Sequence, residues 1–317
     1  MGADVGGTRL RVAVVAADGQ LLSTREVATD ARRGAAAVLA TLAQTIDSLR
    51  SSSHRIATIG VACAGQIIPG RGVVAQAPNL GWTDVPLGET LAGQFSVPVT
   101  VENDVRAAAW GEFRFGAGRG AQNVIVVFVG TGLGSGIVLD GRLLLGAGNG
   151  AGEVGHTQVV PDGLPCGCGQ RGCLEQYVAG NGYQRRLAAA LAAGIPTRLV
   201  DVAGRDPSRL TATMVFDAAR AGDALAMEMS NDARRYLAIG LANYVTVLNP
   251  EVLILGGGVI EGVPALVDAV SSGVPALTTV LARRSLRISR AQLGDWSGVI
   301  GAADLAHERA STSATPS

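Results

Sequence analysis

Near its start the chain reads Asp4-Val5-Gly6-Gly7-Thr8-Arg9, and far downstream it reads Gly130-Thr131-Gly132-Leu133-Gly134-Ser135-Gly136. Each stretch is a glycine turn with a threonine, and Thr8 and Thr131 lie 123 positions apart. Behind each turn come an apolar run, an Asp-Gly pair (Asp18-Gly19 and Asp140-Gly141) and another run. Asp-Gly between two such runs signals a hairpin, because glycine supplies the positive φ of the turn. An approximate internal duplication is the economical explanation, and it predicts two similar α/β lobes with a small-molecule cleft between them. Gly6, Gly7 and Gly132 bring backbone N–H groups close to an anion, and Thr8, Arg9 and Thr131 add donors. Asp4 suits a magnesium ion or its waters, since hard cations prefer oxygen ligands. Taken singly, each turn also reads as an ordinary tight hairpin. In equivalent places of two repeats they point to a nucleoside triphosphate.

Outward from these turns, strands are expected over 10–16, 20–28, 56–62 and 97–101, with a helix over 32–50. The Gly- and Pro-rich stretch 65–98 reads mostly as loop. After the restart, strands are expected at 123–129, 136–139, 142–145, 252–255 and 286–289. Helices are expected near 180–193, 214–249, 264–271 and 299–309. The expected division is an N-terminal lobe over 1–105, with the helix near 299–310 packed back on it, a larger lobe over 106–298, and a disordered tail over 311–317.

Of 317 residues, 26 are basic and 26 acidic, and no lysine occurs, so every basic side chain is arginine. A P-loop of the GxxxxGK[ST] type is thereby excluded. Zero net charge argues against nucleic-acid and anionic-membrane partners. No apolar run reaches the roughly 20 residues of a membrane span, and no export signal is visible, so the expectation is a cytoplasmic protein.

Glu102-Asn103-Asp104 closes one strand and opens a helix. Helix capping explains Asn and Asp there. The functional alternative makes Asp104 the base that takes a proton from a substrate hydroxyl, with Asn103 offering a donor and an acceptor to a polyol. His156, Cys166, Cys168 and Cys173 form H-x9-C-x-C-x4-C, a closed ligand set for structural Zn²⁺ or else three reduced thiols. A disulfide fits poorly with three local cysteines, and Cys63 reads as core. Glu153 and Glu175 bracket the cluster, either solvated or converging with His156 on sugar hydroxyls. Gly256 and Gly257, in Gly256-Gly257-Gly258, offer bare backbone to an adenine or ribose.

Together with Glu153-Val154-Gly155-His156 and the run Cys166 to Glu175, these motifs resemble the ROK family (repressor, open reading frame, kinase) over all but the tail. Trp110 to Gly118 and Val160 to Gly163 resemble actinobacterial glucokinases. The resemblance implies a duplicated actin-like, hexokinase-like ATPase fold and transfer of phosphate from ATP-Mg²⁺ to the primary hydroxyl of glucose. It implies Asp104 as base, with Asn103, Glu153, His156 and Glu175 around the sugar and Asn79 as an addition. The ATP would lie at the two glycine turns. An N-acetylhexosamine or a C7-cyclitol is an alternative acceptor, and polyphosphate an alternative donor. Family relatives imply a homodimer or homotetramer. The family also contains sugar-responsive repressors with a helix-turn-helix ahead of the kinase-like body; with the phosphate turn beginning at Asp4 a repressor is not expected, and a non-catalytic sugar sensor is a third reading. Three features depart from the family pattern: the first strand has only Gly2-Ala3 before Asp4, where relatives have several more residues; Arg106 stands where relatives usually carry a second asparagine; and Cys63-Ala64-Gly65-Gln66-Ile67 replaces the usual sugar-pocket loop.

Overall fold

In the computed structural model, residues 1–50 and 55–313 are described. The chain begins with β1 (Gly2–Val5), β2 (Arg9–Val15) and β3 (Leu21–Ala28), followed by α1 (Ala35–Arg50) and β4 (Ile59–Cys63). Next come β5 (Gln66–Ile68), β6 (Val73–Ala77), β7 (Trp82–Val85), α2 (Leu87–Phe95), β8 (Val99–Asn103) and α3 (Asp104–Phe115). The plan restarts with β9 (Val124–Val129), β10 (Leu133–Leu139) and β11 (Arg142–Leu143). Helices α4 (Glu175–Val178), α5 (Gly180–Ala192), α6 (Leu199–Val202), α7 (Ala212–Arg220) and α8 (Ala224–Leu248) precede β12 (Val252–Gly256). The chain closes with α9 (Gly258–Gly262), α10 (Pro264–Leu277), α11 (Val280–Ser285), β13 (Arg287–Arg290) and α12 (Ser297–Ser313).

The duplication is present in the topology. One sheet has the order β3-β2-β1-β4-β8 and the other β11-β10-β9-β12-β13. In the first, β1 runs antiparallel to β2 and parallel to β4, which is parallel to β8. In the second, β9, β12 and β13 are parallel and β11 is antiparallel to β10. The Asp-Gly hairpins turn through positive φ at Gly19 (86°), Asp140 (49°) and Gly141 (73°).

Two compact units result. The first comprises Met1–Gln122, Gly136–Ala151 and the chain from Ala291 through α12; the second comprises Asn123–Ser135 and Gly152–Arg290. The first unit thus extends beyond residue 105, because α3 packs against α12. Their crossing is so close that a β-carbon on Gly301 would overlap the Ala107 carbonyl. In the first unit, Val38, Leu42, Ile46 and Leu49 of α1 lie in one apolar core with Val5, Leu10, Val12, Ile59 and Val61 of the sheet. Four apolar side chains at this spacing make one helix face, and burying each contributes roughly 1.5–3 kcal/mol.

Two expectations are corrected. Residues 65–98 are not mostly loop: β5, β6 and β7 form a three-stranded antiparallel sheet, and α2 follows. The glycines there sit between the strands, with positive φ at Gly70 and Gly72. The final helix continues to Ser313, so Ser311–Ser313 are helical; the rest of the expected tail, 314–317, lies outside the described residues. Among the described residues no helix is long and apolar enough to cross a membrane.

Candidate active site

In the first unit the candidate residues gather at the carboxyl ends of parallel strands, the usual ligand-binding edge of such sheets. Val5, Cys63 and Asn103 are paired across β1, β4 and β8, so the chain leaves this edge at Gly6, Ala64 and Asp104. The Gly6–Arg9 turn is closed by Gly6 N donating to Arg9 O at 3.0 Å, and Thr29 Oγ1 donates to Gly6 O at 2.7 Å. Gly7 packs on exposed Asn79; a β-carbon at residue 7 would come within 2.9 Å of the Asn79 carbonyl oxygen. Arg9 reaches Glu26 at 3.3 Å and is itself largely exposed.

Asn103 realises the capping reading: its Oδ1 accepts from Arg106 N at 3.1 Å, closing the start of α3. Its Nδ2 donates to Gly65 O at 3.1 Å and to Asp104 Oδ1 at 3.0 Å. Asp104 also accepts from Val105 N at 2.9 Å. Burial pushes its pKa above the ordinary carboxylate range, against the opposing effect of these hydrogen bonds and of Arg106. Asp4 is pushed up to about 7, by burial first and by the charge of Asp104 second. A buried carboxylate whose pKa is raised further by a second carboxylate marks a place where a proton or a cation is wanted.

Three residues here have structural roles that the sequence did not assign them. Glu102, 2% exposed, accepts from Arg106 Nε and Nη2 at 2.9 and 2.6 Å and from Arg309 Nη2 at 2.9 Å. Arg106 also donates through Nη1 to Asn149 O at 2.8 Å. Glu112, fully buried, accepts from three backbone N–H groups, those of Ala117, Gln292 and Leu293, at 2.7–3.0 Å. The i,i+4 spacing of Glu102 and Arg106 was a signal for the first pair. Nothing local announced the partners of Glu112.

In the second unit, the Gly130–Gly132 turn joins β9 to β10. The carbonyls of Gly130 and Thr131 accept from Gly180 N and Asn181 N at 2.9 Å, anchoring the turn to the start of α5. Glu175 Oε2 accepts from Leu133 N at 3.0 Å. Gly256 ends β12, parallel to β9, and Gly257 follows with φ 91°. Exposed Glu153 precedes the short turn of 3-10 helix that carries His156.

The cysteine cluster is assembled. One ligand atom from each of His156, Cys166, Cys168 and Cys173 lies within 4.8 Å of the others, and all the cysteines are free. Cys166 Sγ is 3.7 Å from His156 Nδ1, and Cys168 Sγ is 3.7 Å from Cys173 Sγ. Thiolates about 2.3 Å from a tetrahedral zinc stand roughly 3.7–3.8 Å apart, so these donors fit Zn²⁺ in kind and spacing. Bridges between Gln158 and Cys173 and between Pro165 and Arg171 shape the loop. Gln176 Nε2 donates to Cys166 Sγ at 3.3 Å, and Gln176 Oε1 accepts from Arg185 Nη1 at 2.8 Å.

The model of the ROK family matches residues 1–309. The chain belongs to the ROK family. A curated glucokinase of Streptomyces coelicolor is 36% identical to it over 312 residues, 97% of each chain. An N-acetylmannosamine kinase of Yersinia pestis is 37% identical over 257 residues, 81% of each. Among solved structures, a ROK family glucokinase from Streptomyces griseus in complex with glucose and AMPPNP has a TM-score of 0.76 and 35% identity. It covers 97% of this chain and 98% of its own. The two-unit α/β fold is thus the fold of a ROK sugar kinase.

Proposed function

We propose that the acceptor of this ATP-dependent sugar kinase is glucose, phosphorylated on its primary hydroxyl. The observation that carries the reading is Asp104: a partly buried carboxylate at the carboxyl end of β8, its pKa raised, its Oδ1 held by Asn103 and Val105. Such a group accepts the hydroxyl proton while the sugar oxygen bonds to the terminal phosphorus and the bridging oxygen leaves with the nucleoside diphosphate. Asn103, Glu153, His156 and Glu175, with Asn79, serve the sugar. Asp4, Gly6, Gly7, Thr8, Arg9, Thr131, Gly132, Gly256 and Gly257 serve the nucleotide. Asp4 and Thr8 are oxygen donors fit for magnesium, which supplies charge neutralisation of the phosphates when bound. The cysteine cluster would hold a structural zinc that stiffens the loop carrying His156. A cytoplasmic site of action follows from this reading.

Similarity to N-acetylmannosamine kinase supports a second acceptor, an N-acetylhexosamine. A coupled assay over glucose, mannose and N-acetylhexosamines, with ATP and with polyphosphate, separates the two. The first reading requires glucose with ATP to have the highest kcat/KM, and a preference for N-acetylmannosamine would replace it. Asp104→Asn is expected to lower kcat about 10²–10⁴-fold while sugar binding persists. Near-normal turnover would remove Asp104 as the base.

A further inference from the structure

The candidate base stands on a turn whose geometry is set from behind. Glu102 Oε1 accepts from Asn103 N at 2.9 Å, so the carboxylate beneath the turn grips the backbone that presents Asp104. That carboxylate is 2% exposed, and an uncompensated charge there would be costly. Arg106, 4% exposed, meets it with two nitrogens of its fork, Nε and Nη2. The third nitrogen, Nη1, points elsewhere and donates to Asn149 O at 2.8 Å. Asn149 holds a left-handed backbone, φ 59°, and its Nδ2 donates to Ile67 O at 2.8 Å. The same loop is gripped from its other end, where Asn103 Nδ2 donates to Gly65 O at 3.1 Å.

We propose that Arg106 is a positioning residue of the transfer site. Through Glu102 it fixes the Asn103–Asp104 turn, and through Asn149 it fixes the Gly65–Ile67 loop. The inference rests on the reading of Asp104 as the base and goes beyond it, since no side chain of Arg106 needs to touch a substrate. An asparagine at position 106 is too short to engage Glu102 and the backbone of residue 149 together. A guanidinium does so because its donors are fixed in one plane. One residue thereby couples the orientation of the base to the placement of the Gly65–Ile67 loop. Misplacement of about 1 Å at such a turn can cost about 10²-fold in rate.

The test is a kinetic split on the whole protein, measured per folded molecule with glucose and ATP. Arg106→Met is expected to lower kcat about 10–100-fold and to raise the glucose KM several-fold. Asn149→Gly keeps the left-handed backbone and removes only the grip on Ile67, so it raises KM and leaves kcat within about twofold. Arg106→Lys retains a charge for Glu102 but not the second arm, so kcat recovers while KM stays raised. In the double variant, the Asn149→Gly effect on KM disappears, because residue 149 is already released. Unchanged kcat and KM in Arg106→Met, or equal proportional losses in all variants tracking the folded fraction, would overturn the proposal. Should Arg106→Met not fold, the Lys and Gly variants carry the same split. Asp104→Asn is run beside them. If it stays active the base reading has failed; if it is dead while the Arg106 variants behave as wild type, only the positioning role has failed.

Discussion

Glu175 and Gly132 occupy one another's space: Glu175 Oε2 accepts from Leu133 N at 3.0 Å, and a β-carbon on residue 132 would stand 2.8 Å from that same oxygen. A side chain at residue 132 would therefore push the Glu175 carboxylate away from Leu133 N. Gly132→Ala is expected to displace Glu175 and reduce kcat/KM for glucose about tenfold or more, with a smaller change in melting temperature. Combining it with Glu175→Gln tests the coupling. Contacting residues give non-additive effects, and simple additivity in the double variant would contradict the shared space.

The carboxylates Asp4 and Asp104 predict opposite responses of stability and rate to pH. Asp4 binds its proton more tightly in the folded chain, at about 7, than at the ordinary 3.8. Protonation therefore favours the fold, and this contribution is lost as pH rises from about 4 through about 7. Asp4→Asn should raise the melting temperature at about pH 8, and the gain should shrink toward about pH 5, where wild-type Asp4 is itself largely protonated. With Asp104 as the proposed base, catalysis would require its ionised form, and burial raises the pKa of that carboxyl. The acid limb of the pH dependence of kcat/KM should then lie above the ordinary carboxylate range. Melting curves in chelator and rate profiles check the two halves separately.

The legible parts of the molecule are those whose physics is local. Asp-Gly pairs and glycine turns disclose the duplicated meander because positive φ at Gly19 and Gly141 is demanded within a few residues. The ligand set of His156 and three cysteines is legible because it spans only 18 positions. Strands β5 to β7 were hidden: they are three to five residues long and broken by glycines at 70, 72 and 81. Too few residues remained in each for an alternating pattern to emerge. The grip of Arg106 on Asn149 crosses 43 positions, and Glu112 finds two of its partners 180 and 181 positions away. Such bonds join segments far apart in the chain and carry no signature in the residues themselves.

Glu112 lets this distant bonding be measured. Its carboxylate is fully buried, and its Oε1 takes the N–H groups of both Gln292 and Leu293 while Oε2 takes that of Ala117. Removing it leaves three backbone donors without an acceptor in the interior. Glu112→Ala is expected to cost about 3–5 kcal/mol, read from denaturant unfolding. Glu112→Gln keeps one oxygen for two donors but turns an NH₂ toward the third, so its cost should be smaller. Equal costs for both would mean that packing, and not the acceptor pair, holds the loops at 117 and 292.

The cysteine cluster predicts a count of reactive thiols. Cys166, Cys168 and Cys173 stand with His156 within ligand range, whereas Cys63 lies buried at the end of β4, its thiol pushed up by burial. With zinc bound, none of the four should react quickly with a thiol reagent, and metal analysis should give about one zinc per chain. A strong chelator should release the metal and expose the thiols of Cys166 and Cys168, while Cys173 and Cys63, both fully buried, should react only on unfolding. Cys168 is the exposed cysteine of the set, so Cys168→Ser should weaken zinc retention with little disturbance of the apolar core. The linkage runs onward from Cys166 through Gln176 to Arg185, at 3.3 and 2.8 Å, tying the loop to α5. Loss of zinc should therefore raise the glucose KM through His156 and Glu175 before it lowers kcat through Asp104, which belongs to the first unit. Rapid reaction of Cys168 in freshly purified protein of full activity would show that the cluster is a set of reduced thiols.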